Sequence, residues 1–92
     1  MTQKTVVVNV KTDLYDVYIG RPSKFGNPFE IGRDGTRKEV IDKFIDYFLS
    51  NESLKLAAKA ELTGKRLGCF CKPKACHGDI IAKYVNDEIL IM

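Results

Sequence analysis

The three cysteines and the single histidine of this 92-residue chain all lie between Cys69 and His77, within Gly68-Cys69-Phe70-Cys71-Lys72-Pro73-Lys74-Ala75-Cys76-His77-Gly78-Asp79. Three chemistries are open to such a set. The first is anion binding. A helix start offers free N–H groups and the positive end of a dipole, which suits phosphate or carboxylate. Here Cys76, His77 and Gly78 would supply the amides, with Cys71 beside them. Asp79 stands in the first turn and is expected to reach back and cap the Cys76 amide. The second chemistry is metal binding by Cys69, Cys71, Cys76 and His77. Zinc takes sulfur and nitrogen ligands at about 2.0–2.3 Å, but C-x-C on a strand followed by adjacent Cys-His makes a strained cage. No metal and no cofactor is expected. The third is covalent catalysis, with Cys76 as a thiol activated at a helix start, His77 as base and Asp79 as a further candidate. Cys69 is read as a small buried hydrophobe.

Positioning these residues requires a strand, a break and a helix. Arg66 to Cys71 reads as a short interior strand, Lys72-Pro73-Lys74 ends it, and Ile80, Ile81, Tyr84 and Val85 recur at helical spacing. The helix is therefore expected to begin near Cys76 or His77 and to end at Asn86-Asp87. Upstream, Thr5 to Val10 is rich in β-branched residues and reads as a strand, followed by a turn and a second strand at Val17 to Ile19. The short gap between them predicts a hairpin.

A loop dense in proline and glycine, Gly20 to Phe29, comes next. A rigid loop on a scaffold often carries function, so Arg21, Lys24 and Asn27 are candidate ligand contacts. Phe25 and Phe29 are either core plugs or, for Phe25, a stacking surface. Thr36-Arg37-Lys38-Glu39 has the form of a capping box. Val40, Ile41, Phe44, Ile45, Phe48 and Leu49 then mark the buried stripe of a helix. Asn51 or Ser53 caps a second helix from Leu54 to about Leu62, whose alanines suggest close packing, and Thr63-Gly64 ends it. Ile89 to Met92 would add a last short strand. The expected architecture is one α/β domain over residues 1–92. Its central sheet would be mixed or mostly parallel and Rossmann-like, flanked by about three helices.

Composition narrows the function. A net charge of +3 and no run of Lys or Arg disfavour nucleic acid as a partner. No stretch is long and apolar enough to span a bilayer, and the N-terminus lacks a signal-peptide core. A cytoplasmic setting with reduced thiols is expected, a Cys71–Cys76 disulfide being the minor alternative. The alanine-rich helix and the apolar tail predict a homodimer.

Tyr18 to Phe29, Asp34 to Arg37 and Cys69 to Asp79 together resemble a phage and bacterial family, number 4326 in the domain-of-unknown-function series. The shared pattern is a G-R-P-x-K-[WF]-G-N-P-F loop and a downstream C-x-C-K-P-x-x-C-H-G-D, with Phe25 and Phe70 where tryptophan is common. The resemblance runs from about Tyr18 to Tyr84 and implies no particular reaction. Phage membership would set it in the host cytoplasm and allows one further idea, a small protein that sequesters a host nucleotide signal. The two motifs are expected to form one pocket for a small phosphorylated, nucleotide-like ligand, with Arg21, Lys24 and Arg37 neutralising phosphate and Asn27 reading a base or sugar edge. The rivals are a nucleotide hydrolase or glycosidase using Cys76, His77 and Asp79, and a structural zinc cluster.

Overall fold

The computed structural model describes residues 4–88. Its elements are β1 (Val6–Asn9), β2 (Val17–Tyr18), α1 (Arg37–Leu49), α2 (Glu52–Leu62), β3 (Arg66–Cys69) and α3 (Gly78–Val85). The order of strands and helices is the expected one. The sheet is parallel, with β3 interior between β1 and β2. The expected hairpin between the first two strands does not form. Val7 and Val17 instead flank the same residue, Leu67, from opposite sides.

Local contacts explain the departure. The amides of Thr12 and Asp13 both return to the Asn9 carbonyl, at 3.2 and 2.9 Å, which turns the chain out of β1. The next residues cross the face of β3 over Gly68, where a Cβ would lie 2.7 Å from Val10 and 2.8 Å from the Tyr15 ring. Asp16 then fastens the chain beyond β3. Its carboxylate accepts from the Arg66 amide at 2.8 Å and from the Arg66 guanidinium at 3.1 Å, and its own amide donates to the Arg66 carbonyl. A glycine and an aspartate thus replace a tight turn with a crossing.

The helices form where the pattern places them. Thr36 and Glu39 make the reciprocal capping box of α1, and Val40, Phe44 and Phe48 are its buried face. Asn51 caps α2 by accepting from the Leu54 amide at 3.1 Å. Ala57 and Ala58 of α2 pack into the chain's own core, while Leu56 stays exposed. Helix α3 starts at Gly78, slightly later than expected, and lies close on the sheet. A Cβ at Gly78 would meet Ile19 at 2.5 Å, so this glycine serves helix–sheet packing. The core joins Ile19 and Leu67 of the sheet region to Phe44, Phe48, Leu62 and Ile81 of the helices, with Phe25 inserted from its loop. No helix among the described residues is long and apolar enough to cross a membrane. The strand expected at residues 89–92 lies outside the described residues.

Candidate functional site

Parallel strands deliver their carboxyl ends to one edge, and in open α/β sheets that edge is where ligand crevices form. Here the chain leaves β2 at Tyr18 into the Gly20–Ile31 loop and leaves β3 at Cys69 into the Cys71–His77 turn. The first turn of α1 stands between them. A cavity of about 290 Å³ opens at this junction, lined by Tyr18, Arg21, Asn27, Phe29, Arg37, Val40, Phe70, all three cysteines and His77. Both sequence motifs therefore contribute to one wall-to-wall recess.

Two cations stand in it. The Arg37 guanidinium donates to the Ala75 carbonyl at 3.2 Å, which ties α1 to the cysteine turn without neutralising the charge. Arg21 lies 3.7 Å from Glu30 and remains more than half exposed. Lys24 is not part of the recess. Its ammonium meets Glu61 at 2.5 Å and sits over the Phe25 ring. Asn27 lines the cavity, but its amide is already spoken for: it donates to the Val40 carbonyl at 3.1 Å and accepts from the Phe29 amide at 2.9 Å. Phe25 is buried in the core and offers no stacking face. The aromatic surface belongs instead to Tyr18, Phe29 and Phe70, with Tyr18 and Phe70 edge to face at 5.9 Å. Phe70 is 58% exposed. An aromatic set between two cysteines of a C-x-C strand end, on the face opposite both, was the available signal for it.

Two of the three amides at the turn into α3 have partners within the chain. The Cys76 amide donates to Asp79 at 3.1 Å, the cap expected from the sequence, and the Gly78 amide approaches the Cys76 sulfur at 3.4 Å. Asp79 also holds the Lys72 ammonium at 2.6 Å and lines a separate depression with Thr5 and Asn86. Cys76, His77 and Asp79 therefore do not converge as one constellation. His77 is buried, with Nε2 2.9 Å from the Ile19 carbonyl and its ring edge-on to Phe44 at 5.0 Å. Burial lowers its pKa, partly countered by the backbone of Ile19 and Phe25. The neutral ring then donates from Nε2 and leaves Nδ1 as an acceptor, 3.6 Å from the Cys76 sulfur.

The cysteines form a pair and an outlier. Cys76 Sγ lies 3.0 Å from Cys69 Sγ, whereas Cys71 is half-buried beside them. The thiol hydrogen bond from Cys76 lowers the Cys69 pKa to about 6, against desolvation and with help from the amides of Lys72 and Cys71. The same hydrogen bond, reinforced by burial, pushes the Cys76 thiol up. The lowered thiol of the pair is thus Cys69, chiefly because Cys76 donates to its sulfur. Among the described residues, no three His, Cys, Asp or Glu side chains are arranged to hold a metal ion.

Comparison with known proteins places this geometry in a lineage. A 12.4 kDa uncharacterized protein in the nrdA-td intergenic region of Enterobacteria phage T4 is 44% identical over 84 residues, which is 87% of this chain and 76% of the relative. No solved structure matches the chain. The family model described as a domain of unknown function, DUF4326, matches residues 3–87, taking in all three strands as well as both loop motifs. The chain belongs to the DUF4326 family.

Proposed function

We propose that the cavity at the carboxyl edge of the sheet binds a small phosphorylated ligand, a nucleotide or nucleotide-derived molecule, and holds it without turnover. The observation that carries this reading is the meeting of Arg21 and Arg37, brought by separate segments, in one aromatic-walled recess. Guanidinium groups bind phosphate oxygens through paired N–H donors. The Arg21 and Arg37 pair, rather than the Cys76 and Gly78 amides, which have partners within the chain, is the phosphate subsite. Tyr18, Phe29 and Phe70 provide a face for a base. A volume of about 290 Å³ lies at the lower end of ligand pockets, which suits one mononucleotide-sized molecule. In a family with a phage member, sequestering such a molecule in the host cytoplasm, as a monomer or homodimer, is the corresponding role.

The test is a melting-shift screen against a nucleotide panel, with the recovered compounds separated by chromatography. A shift with the ligand recovered intact is expected, and Arg21→Ala abolishes it. Conversion of the nucleotide would replace binding with hydrolysis or glycosidic cleavage. No shift with any phosphorylated compound would remove the reading.

A further inference from the structure

We propose that Cys69 and Cys76 are a peroxide-reactive dithiol that closes to an intrachain disulfide at the floor of the cavity. Three observations point there. The two sulfurs are 3.0 Å apart, within reach of bond formation after a small adjustment of either side chain. Both residues are almost fully buried yet line the cavity, so a small oxidant reaches them through the recess alone. Proton acceptance is built in: with Nε2 bonded to the Ile19 carbonyl, His77 turns Nδ1 toward the Cys76 sulfur at 3.6 Å. Two apolar cysteines packed for volume would need neither a sulfur–sulfur contact of 3.0 Å nor the histidine beside Cys76.

The chemistry balances with hydrogen peroxide as the oxidant. The Cys69 thiol ionises and its thiolate attacks one peroxide oxygen; the O–O bond breaks, and the departing hydroxide takes up the proton Cys69 released and leaves as water. Cys69 is then a sulfenic acid. Cys76 gives its proton toward His77 Nδ1 and attacks the Cys69 sulfur. The S–S bond forms, the S–O bond breaks, and the departing hydroxide takes up that proton as a second water. Two thiols and one peroxide become one disulfide and two waters. The product ties the end of β3 to the start of α3 beneath the ligand cavity.

Cys71 makes the test decisive, because it is the more exposed cavity thiol. If exposure governs reactivity, Cys71 oxidises first. If sulfur pairing governs it, Cys69 and Cys76 do. The full-length chain is treated with equimolar hydrogen peroxide, quenched with catalase, unfolded, alkylated and mapped by peptide mass spectrometry. The expected map shows a Cys69–Cys76 crosslink and an alkylated Cys71. Cys71→Ser should leave the crosslink intact, and Cys76→Ser should stop at a Cys69 sulfenic acid trapped by dimedone. Should a variant fail to fold, the wild-type map decides alone. Three alkylated cysteines, oxidation confined to Cys71, or any crosslink through Cys71 would overturn the proposal.

Discussion

The two edges of the parallel sheet are built on opposite terms. At the amino edge, Thr5 is tied on every side. Its amide donates to Asn86 at 2.9 Å, its carbonyl accepts from Asn86 at 2.8 Å, and its hydroxyl bridges the Leu62 carbonyl and the Gly64 amide at 2.9 and 2.8 Å. This knot joins β1, the end of α2 and the end of α3, and each polar group in it is satisfied by another. At the carboxyl edge, by contrast, Arg21 and Arg37 face a recess, the first in an exposed ion pair with Glu30 at 3.7 Å and the second on a backbone carbonyl. A buried polar group is costly when left unmade, so the closed edge holds the fold. The open edge leaves the Arg21 guanidinium more than half exposed.

That division makes substitutions at the two edges separable. The largest effect is expected from Asn86→Ala, which strips partners from both the amide and the carbonyl of Thr5. Chemical denaturation should show a loss of about 2–3 kcal/mol, with nucleotide-induced melting shifts undiminished. A ligand effect as large as the stability effect would break the contrast. Next comes Arg37→Ala at the open edge. Calorimetric titration should show affinity for the phosphorylated ligand falling by about 1.5–3 kcal/mol, the usual worth of hydrogen bonds to a charged group, while the denaturation midpoint stays near wild type.

How far each edge can be read from the sequence follows from the range of its contacts. The capping box of Thr36 and Glu39, the α1 stripe and the α2 cap are local patterns. The box appears as read, Asn51 rather than Ser53 caps α2, and Val40, Phe44 and Phe48 of the stripe are buried while Ile41, Ile45 and Leu49 are half-buried. The Asp79 cap on Cys76 is equally local. The pairing of β1 and β2 with Leu67 is not, because the partner lies some fifty residues or more downstream, and nothing between Asn9 and Val17 signals it except Asp16. At the site, motif residues could be named but not aimed. Phe25 and Phe29 share a loop, yet one fills the core and the other lines the cavity. Lys24 turns to Glu61, a partner on α2 that no spacing rule connects to it. Cys69, read as a small buried hydrophobe, is indeed buried in the core, but its contact with the Cys76 sulfur is one that no spacing rule supplies.

Smaller effects should appear in pH dependence. Cys69 carries fewer protons folded than unfolded between about pH 6 and the ordinary thiol value of 9.0, so its contribution to stability grows as pH rises through that window. Above it, the raised Cys76 pKa reverses the sign. His77, lowered by burial from 6.5, removes stability as pH falls below its unfolded value. Ultraviolet thiolate absorbance should therefore titrate with one early step, and Cys76→Ala should move that step upward. An unchanged step would detach Cys69 from its partner. The smallest effect is expected from Lys24→Ala. The Lys24–Glu61 pair is exposed on both sides, so the loss should stay within about 1 kcal/mol, with ligand affinity unaltered.

The contrast between the edges is tested most directly by amide chemical-shift mapping of the labelled protein during titration with the nucleotide that gives the largest melting shift. Perturbations are expected at Tyr18, Gly20, Arg21, Phe29, Arg37, Phe70 and Ala75, with Thr5, Gly64 and Asn86 unmoved. Perturbations centred on Thr5 and Asn86, or spread evenly over both edges, would contradict it.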